Sequence, residues 1–423
     1  MTSVVNRLQQ LSGNNTAFIR HIICTNAYMK NFALRRILFC YFLLFTVSFI
    51  HAQQTSLPAN KQKIAVLAPL YLDSAFDGNN YKLTGINLPK YILPGLDFYH
   101  GVNTAIDSLQ KENTPVDVII YDTKQAGGLN SLLANIKQQN VAMILASFNN
   151  SAEQKTVSDF SFSENIPVIS ATYPNDANLG MNPFFVMVNS SLKTHVDAMY
   201  NYVQRNYAKN KILFITKSGV FESRIKNQFD NLSKQYKSLS YKTLVLPDNY
   251  DPSYLLSSLD STKQNLVICG SLNDNFGLSV VRTISAAASY KTTVIGMPTW
   301  ESDEAFNNTD CNGVEVVYST PYNYSRTDKT GASLTNLYKL QHNGRPSDMY
   351  FKGFETMYHF SKLLVKYHTN MLNNISESSS YKIANDFNFQ PVRLSKESYA
   401  PDFLENKKLY FVKKIDGQVK GIN

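Results

Sequence analysis

Short apolar runs alternate with segments of helical periodicity along most of this chain, and this alternation limits its fold more than any other feature. The run "KIAVLAPL" (63–70) is rich in branched side chains and ends near a proline, as a buried strand does. The next segment, "GLDFYHGVNTAIDSLQKE", carries apolar residues at helical spacing: Tyr99, Val102, Ile106 and Leu109. Two further apolar runs, "VDVIIYD" (116–122) and "VAMILA" (141–146), follow with the same alternation. Strands that alternate with helices of this length predict a doubly wound parallel sheet.

The same alternation occurs a second time further along the chain. The runs "KILFIT" (211–216), "NLVICG" (265–270) and "TTVIGMP" (292–298) are predicted strands, and helical segments separate them. At 423 residues, the chain is too long for one ordinary core and long enough for two. The sequence therefore predicts two doubly wound α/β lobes, with a hairpin at Asp416-Gly417 near the end of a mixed tail.

Residues 1–52 belong to neither series and are typical of an export signal. Three basic residues precede a run of about 14 almost wholly apolar residues, and Ala52 then offers a small residue for cleavage. We expect cleavage after Ala52, Met29 as the true start, and a periplasmic or secreted mature chain. A signal anchor stays open as an alternative, although the apolar run is shorter than the roughly 20 residues that span a bilayer.

Charge and cysteine content limit the partners of the mature chain. Removing residues 1–52 takes away five of the 41 Lys and Arg residues and none of the 32 acidic ones, which leaves a net charge of +4. No basic run is present, so nucleic acid is not an expected partner. Export permits a disulfide between Cys269 and Cys311. Cys269 also ends the apolar run "NLVIC", where a free cysteine acts as a small hydrophobic residue, and both interpretations stay open.

Two predicted strands of the first series end in small and amide side chains. "VAMILASFNNSAEQ" presents Asn149, Asn150 and Ser151 after its strand, and "IPVISATYPND" presents the segment 170–172 (Ser170, Ala171 and Thr172). In open parallel sheets, ligands bind beyond the carboxyl ends of the strands. Hydroxyl and amide groups supply both donors and acceptors there. The two loops therefore predict one wall of a ligand site, with the second lobe as the opposite wall.

The order of these elements resembles that of the type I periplasmic binding proteins, over roughly residues 62–370. The segments that carry the resemblance include "KIAVLAPL", "HGVNTAIDSL", "MILASFNNSAEQ" and "GRPSDMYFKGFETMYHF", and the branched-chain amino-acid binding branch is the most similar. The resemblance implies two lobes joined by three crossovers, hinge closure on a small-molecule ligand, and a membrane permease or receptor as partner. It also implies a first lobe of residues 62–188 plus 318–380 and a second lobe of 189–317 plus 381–423.

The resemblance further implies ligand contacts on both lobes. Ser151 and the segment 170–172 match the positions that hold the ligand's carboxylate and amine in the first lobe. In the second lobe the candidates are Phe221, Asn273 and the pair Trp300 and Glu301, of which Glu301 would hold an amine. Asn273 stands where an aromatic residue is expected, and Gly353-Phe354-Glu355 replaces Gly-Tyr-Asp. The ligand class therefore stays open between an amino acid, an amide and a short peptide.

Each candidate also has an ordinary structural interpretation. Ser151 and Thr172 could cap helices, which Ser and Thr do routinely. The aromatic residues Phe221 and Trp300 could belong to the core, and Glu301 could be a solvated surface group. Tyr71 follows the first strand and so lies near the predicted cleft, within an insertion that could equally be a surface loop; it completes the set of predicted ligand-binding residues.

Motifs for catalysis are missing from the sequence. It contains no Gly-x-Ser-x-Gly elbow, no phosphate-binding Gly-Lys-Ser/Thr and no paired metal-binding histidines. We therefore predict neither an enzyme nor a cofactor nor a bound metal. An export signal occupies the place where a DNA-binding regulator of this fold would need a helix-turn-helix. The sequence favours a secreted or periplasmic solute-binding protein for uptake by an ABC transporter, with an envelope-associated sensor or structural protein with a degenerate cleft as the alternative.

Overall fold

Two seven-stranded sheets organise the part of the chain that this computed structural model describes. The described residues are 61–83, 85, 87–174, 179–236, 239–323, 328–376, 385–395 and 400–422. All of them belong to one compact unit, Asn60–Asn423. The predicted signal region, residues 1–52, lies outside the described residues.

The strands follow the predicted runs closely. In chain order they are β1 (Gln62–Ala68), β2 (Phe76–Asp77), β3 (Asn80–Tyr81), β4 (Val116–Asp122), β5 (Met143–Ala146), β6 (Val168–Ser170), β7 (Phe185–Met187), β8 (Ile212–Thr216), β9 (Tyr241–Val245), β10 (Asn265–Cys269), β11 (Thr292–Ile295), β12 (Val314–Thr320), β13 (Phe389–Val392), β14 (Phe403–Asn406), β15 (Tyr410–Ile415) and β16 (Gln418–Ile422). The strands β2 and β3 form a separate small hairpin in the insertion after β1.

The helices lie between the strands, as the alternation predicts. In chain order they are α1 (Leu72–Ala75), α2 (Leu93–Lys111), α3 (Gly128–Gln139), α4 (Ser151–Glu164), α5 (Leu192–Tyr207), α6 (Val220–Gln235), α7 (Pro252–Leu256), α8 (Asp274–Ser285), α9 (Lys329–His342) and α10 (Asp348–Tyr367). None of the helices in the described residues combines the length and apolarity needed to cross a membrane.

The first sheet has the order β13-β14-β7-β6-β5-β1-β4, and the second has the order β16-β15-β12-β11-β10-β8-β9. Five consecutive strands of each sheet are parallel, β7-β6-β5-β1-β4 in the first and β12-β11-β10-β8-β9 in the second, and buried apolar residues cover both faces of each sheet. The prediction of two doubly wound α/β lobes is confirmed. We call the first sheet with its helices the first lobe, and the second sheet with its helices the second lobe.

One part of the predicted lobe assignment differs from the structure. The resemblance implies that residues 381–423 belong to the second lobe, but β14 pairs with β7 in the first sheet through Leu404 and Val186, and β13 extends that sheet further. Conversely, β12 continues to Thr320 within the second sheet. The chain therefore crosses between the lobes three times: after β7 at residues 188–191, after β12 from residue 321, and after β14 at residues 407–409.

The predicted hairpin at Asp416-Gly417 joins β15 to β16. Both residues have positive φ, at 50° for Asp416 and 74° for Gly417, as a two-residue turn between twisted antiparallel strands requires. The two cysteines, in contrast, are free. Burial raises the pKa of the Cys269 thiol to about 12 and that of the Cys311 thiol to about 11, so both behave as apolar side chains.

Candidate functional site

A cavity of about 650 Å³ lies between the lobes, beside the first and third crossovers. The first lobe and the crossovers contribute Asn189, Leu394 and Lys407 to its lining, and the second lobe contributes Phe221, Arg224 and Leu272. We call it the interlobe cavity. Its volume falls within the range of about 300–1,000 Å³ that is usual for small-molecule sites.

The loop after β5 carries three of the predicted ligand-binding residues. Asn150, rather than Ser151, caps helix α4, because its side-chain oxygen accepts the backbone N–H of Glu153 at 2.9 Å. Ser151 is the first helical residue and its side chain is exposed. The capping interpretation of Ser151 is therefore wrong, and its contact with a ligand stays a prediction. Asn149 accepts a hydrogen bond from Lys124 Nζ at 2.9 Å.

Tyr71 is joined to this loop. Asn149 Nδ2 donates to Tyr71 Oη at 3.0 Å, and Lys124, which pairs with Glu153, lies 5.7 Å from the centroid of the tyrosine ring. Tyr71 has a left-handed backbone (φ 56°), and its N–H donates to the Asp122 carboxylate at 3.2 Å. The insertion after β1 is thus fastened to the ends of β4 and β5, although Tyr71 is not among the residues that line the interlobe cavity.

The loop after β6 carries the other three first-lobe candidates, and its polar groups bind one another. Ser170 is fully buried, and its Oγ has no hydrogen-bond partner within the described residues. The Ala171 carbonyl accepts the Tyr322 hydroxyl at 2.6 Å. Thr172 Oγ1 donates to the Phe148 carbonyl at 3.2 Å, and the Thr172 carbonyl accepts Asn189 Nδ2 at 2.7 Å. The Ala171 carbonyl and the Thr172 hydroxyl and carbonyl therefore already have partners inside the protein, whereas the Ser170 hydroxyl has none within the described residues.

On the second lobe, Phe221 and Asn273 lie in different environments. Phe221 is 55% exposed at the start of α6 and lines the interlobe cavity, so its assignment to the core is wrong. The guanidinium of Arg224 lies 5.7 Å from the centroid of its ring. Asn273 caps helix α8 by accepting the N–H of Phe276 at 3.0 Å, and the neighbouring Leu272 lines the cavity instead.

Glu301 connects the two lobes. Its carboxylate accepts the hydroxyl of Thr320 at 2.8 Å and lies 3.9 Å from Nζ of Lys352, which belongs to α10 of the first lobe. Lys352 also lies over the ring of Tyr322, 4.7 Å from its centroid. Glu301 is thus not a solvated surface group. The carboxylate that was expected to hold a ligand's amine faces an amine of the protein.

A second cavity, on the other side of Glu301, is too small for a ligand. It is lined by Tyr322, Lys352 and Glu355 among others, and its volume of about 30 Å³ has room for a water molecule or two. Burial, reinforced by the charges of Glu355 and Glu301, raises the pKa of Tyr322 well above its usual value. Tyr322 therefore acts as a neutral hydrogen-bond donor to the loop after β6.

Trp300 belongs to the core of the second lobe, which corrects its prediction as a ligand contact. The side chain is fully buried and stacks on Phe306 with ring centroids 4.3 Å apart. A Cβ at Gly277 would lie 2.4 Å from the indole, and one at Gly296 would lie 2.1 Å from it, so both positions need glycine. Its neighbour Glu301 lines the cavity, although the two residues are adjacent in sequence.

A buried polar cluster at the crossovers is not predicted by any pattern in the sequence. Glu405 of β14 accepts the N–H of Ser191 and the hydroxyl of Thr194, both at 2.7 Å, and pairs with Lys407. Burial alone would raise the pKa of Glu405, but the Lys407 ammonium and these hydrogen bonds lower it below the usual value. In the sequence, the only sign of this cluster is a glutamate within a strand, and it does not show which residues will bind the carboxylate. This cluster joins the first crossover to the third.

His195 lies beside the same cluster. Its Nδ1 is 2.8 Å from Ser319 Oγ, and burial lowers the pKa of His195 to about 4, against a smaller raising effect from Glu405. The imidazole is therefore neutral at pH 7. The residue lines the interlobe cavity but is only 1% exposed, so it supports the crossover rather than offering a charge to a ligand.

Comparisons with known proteins identify the fold. No protein-family model matches the chain, and neither does any curated protein. Solved structures do match: a protein from Rhodospirillum rubrum assigned as a branched-chain amino acid ABC transporter has 11% identity and a TM-score of 0.62, and covers 86% of this chain and 100% of its own. A branched-chain amino acid ABC transporter periplasmic ligand-binding protein from Burkholderia xenovorans has 11% identity and a TM-score of 0.58, with 86% and 95% covered.

An ABC transporter substrate-binding protein from Desulfitobacterium hafniense, in complex with Leu, has 10% identity and a TM-score of 0.54, and covers 86% of this chain and 100% of its own. At such low sequence identity, structural similarity shows that the fold is shared and nothing more. Together with the two sheets, the three crossovers and the cavity between the lobes, it shows that the chain has the type I periplasmic binding protein fold.

Proposed function

We propose that this chain is an exported solute-binding protein whose two lobes close on a small polar ligand and deliver it to an ABC-type permease. The observation that carries the proposal is the interlobe cavity, which has the volume of a ligand site and is lined from both lobes. Hinge closure around a ligand needs two rigid bodies and few connections, and three short crossovers join these lobes. The protein performs no chemistry in this proposal.

Two further observations support the transport role. The structures with the same fold include a substrate-binding protein of an ABC transporter in complex with Leu. The predicted export signal at residues 1–52 would place the mature chain in the periplasm or outside the cell. Phe221 of the second lobe is a proposed ligand contact because it lines the cavity. The first-lobe candidates Asn149, Ser151 and Thr172 are not among the lining residues, and their ligand contact stays a proposal from the sequence.

A thermal-shift screen of residues 53–423 tests the proposal. The panel contains amino acids, amides, short peptides and small organic acids. A ligand at 100 times its Kd stabilises the native state by about 2.7 kcal/mol, which raises the melting temperature by several degrees. Small-angle scattering should then show a more compact protein with the ligand than without it. If no compound shifts the melting temperature, the solute-binding proposal is wrong.

A matched pair of variants locates the binding site. Phe221→Ala removes an aromatic side chain that is 55% exposed and lines the cavity, whereas Tyr254→Ala removes one that is 56% exposed outside it. We expect the first change to weaken ligand binding at least tenfold and the second to leave it unchanged. Equal effects of the two variants would place the ligand elsewhere.

A sensor or structural role with a degenerate cleft is the second candidate. The observation that favours it is the internal pairing of the loop after β6, where Tyr322 and Asn189 occupy backbone acceptors that a ligand could otherwise use. In that case no compound would bind, and scattering would give the same dimensions under all conditions. The screen therefore separates the two candidates.

A further inference from the structure

Four lysine and arginine side chains line the interlobe cavity, and only two of them have acidic partners. Lys193 pairs with Asp197 at 2.8 Å, and Lys407 pairs with Glu405. Arg224 and Arg393 form no ion pair within the described part of the chain. Two guanidinium groups therefore line one cavity, and no carboxylate of the described residues is paired with either of them.

These two arginines belong to different lobes. Arg224 is on α6 of the second lobe, one turn after Phe221, whereas Arg393 follows directly after β13 of the first lobe. Because both line the same cavity, closure of the lobes places two positive charges around one space. Like charges in that arrangement oppose closure unless an anion lies between them. Guanidinium is suited to this role because it binds carboxylate and phosphate groups in a bidentate way.

The acidic groups in the cavity do not neutralise the arginines. Glu405 is 1% exposed and has Lys407, Ser191 and Thr194 as partners. Glu301 accepts the Thr320 hydroxyl and faces Lys352. The first turn of α6 lies at the cavity, and its positive helix dipole is offset by Glu222 within that turn, so among the described residues the guanidinium groups are the cationic groups there without an acidic partner.

The environment of Glu301 also disfavours a ligand that carries an ammonium group. A zwitterionic ligand needs a carboxylate for its ammonium group, and the Glu301 carboxylate already faces the Lys352 ammonium at 3.9 Å. An added ammonium group beside Lys352 would be repelled. The exposed ring of Phe221, one turn from Arg224, is placed to pack on an apolar part of a ligand whose anionic group reaches the guanidinium.

We propose that the interlobe cavity binds a ligand with a carboxylate or phosphate group and no ammonium group, and that Arg224 and Arg393 hold this anion from opposite lobes. The inference rests on the proposed solute-binding function and names the substrate class of its site. The anion completes the contact between the lobes, so binding and closure depend on the same two side chains.

Pairs of compounds that differ only in charge test this inference on residues 53–423. The carboxylate arm compares succinate with succinamide and 3-phenylpropionate with its amide. The phosphate arm uses inorganic phosphate and phenyl phosphate, and leucine and glutamine represent zwitterions. We expect thermal shifts with anions of at least one arm, no shift with the amides or zwitterions, and weaker binding as salt is raised. Equal shifts with acids and their amides would overturn the inference.

Variants then test the two arginines with the anion that binds best in calorimetry. Arg224→Gln and Arg393→Gln should each weaken binding at least tenfold, since each removes a charge-assisted hydrogen bond. Arg205→Gln, on the exposed surface outside the cavity, is the matched control and should change nothing. Binding within twofold of the parent protein in both cavity variants would overturn the inference.

The outcomes also separate this inference from the proposed function. Binding of a neutral or zwitterionic compound that neither arginine variant affects would overturn the anion assignment and leave the solute-binding function standing. If no compound of either charge binds, both are wrong.

Discussion

Two parts of the space between the lobes use their polar groups in opposite ways. In the loop after β6 and the second crossover, hydroxyls and carbonyls bond to one another, as in the pair of Tyr322 and Ala171. On the side of α6 and β13, Arg224 and Arg393 have no ionic partner within the described residues. The difference follows burial: a buried polar group is costly without a partner, whereas an exposed guanidinium keeps its water until a ligand replaces it.

Residues at positions that bind a ligand in related folds can instead bind other groups of the same protein. The Glu301 carboxylate faces Lys352 of the other lobe, and the Ala171 carbonyl accepts the Tyr322 hydroxyl, so both groups already have partners within the protein. In our proposal, ligand recognition depends on side chains that are exposed, charged and supplied by both lobes. The predictions below test this division, from the largest expected effect to the smallest.

The largest effect should come from Trp300, which the structure places in the core although it is next to a cavity residue. We expect Trp300→Ala to lower the free energy of unfolding by about 3–5 kcal/mol, as removal of a large buried aromatic does. Phe221→Ala should cost less than about 0.5 kcal/mol. Urea denaturation followed by circular dichroism measures both. A stable Trp300→Ala protein with altered ligand affinity would show that Trp300 belongs to the site after all.

The next largest effect should be a loss of stability at low pH that is caused by His195 at the crossovers. Burial lowers the pKa of His195 to about 4, below its usual 6.5, so the folded state binds fewer protons than the unfolded state between these values. Stability attributable to His195 is therefore present above pH 6.5 and is lost as pH falls toward 4, by about 2 kcal/mol between pH 7 and pH 5. Denaturation at both pH values should show a smaller loss for His195→Gln than for the parent protein. Identical losses would mean that the imidazole titrates normally.

Substitutions of Glu301 and Lys352 should have a smaller effect on stability, and they should also change which ligands bind. A double-mutant cycle with Glu301→Gln and Lys352→Met should give a coupling energy of about 1 kcal/mol, because both groups are largely buried. Lys352→Met frees the carboxylate, so zwitterionic amino acids should bind this variant better than the parent protein. If leucine binds neither protein, the idea that Lys352 takes the place of a ligand's amine loses its support.

The smallest effect separates Asn150 from Ser151. Asn150→Ala removes the cap of α4 and should cost about 1 kcal/mol, whereas Ser151→Ala should stay within about 0.5 kcal/mol. Thermal denaturation detects the difference. Equal costs would indicate that the serine hydroxyl shares the capping role, and a loss of ligand affinity in Ser151→Ala alone would support its proposed contact.

The fold could be predicted because its signals are local. An apolar run such as "KILFIT" or a helical spacing of apolar residues can be recognised within a short stretch of sequence. The turn between β15 and β16 is recognised from two residues, Asp416 and Gly417. The place of β14 could not be predicted in this way. Its partner β7 is distant in the sequence, and a short late strand carries no mark of the sheet that it will join.

The candidate site could be predicted only in part, for a similar reason. Strand ends identify the loops after β5 and β6, but whether Thr172 is free depends on Phe148 and Asn189, which reach it in three dimensions. Arg224 and Arg393 are ordinary surface residues in the sequence. They become a candidate site only because two lobes bring them to the same cavity.

The pairing of β14 with β7 also sets the order in which the molecule can fold. About half of the chain separates Val186 from Leu404, so β7 remains an unpaired sheet edge until the ribosome has made nearly the whole protein. Neither lobe can be finished early, because β15 and β16 complete the second sheet later still. Folding that depends on such distant contacts is slow. The open edge of β7 would therefore persist through most of synthesis, and the first sheet would be completed only when β14 has been made.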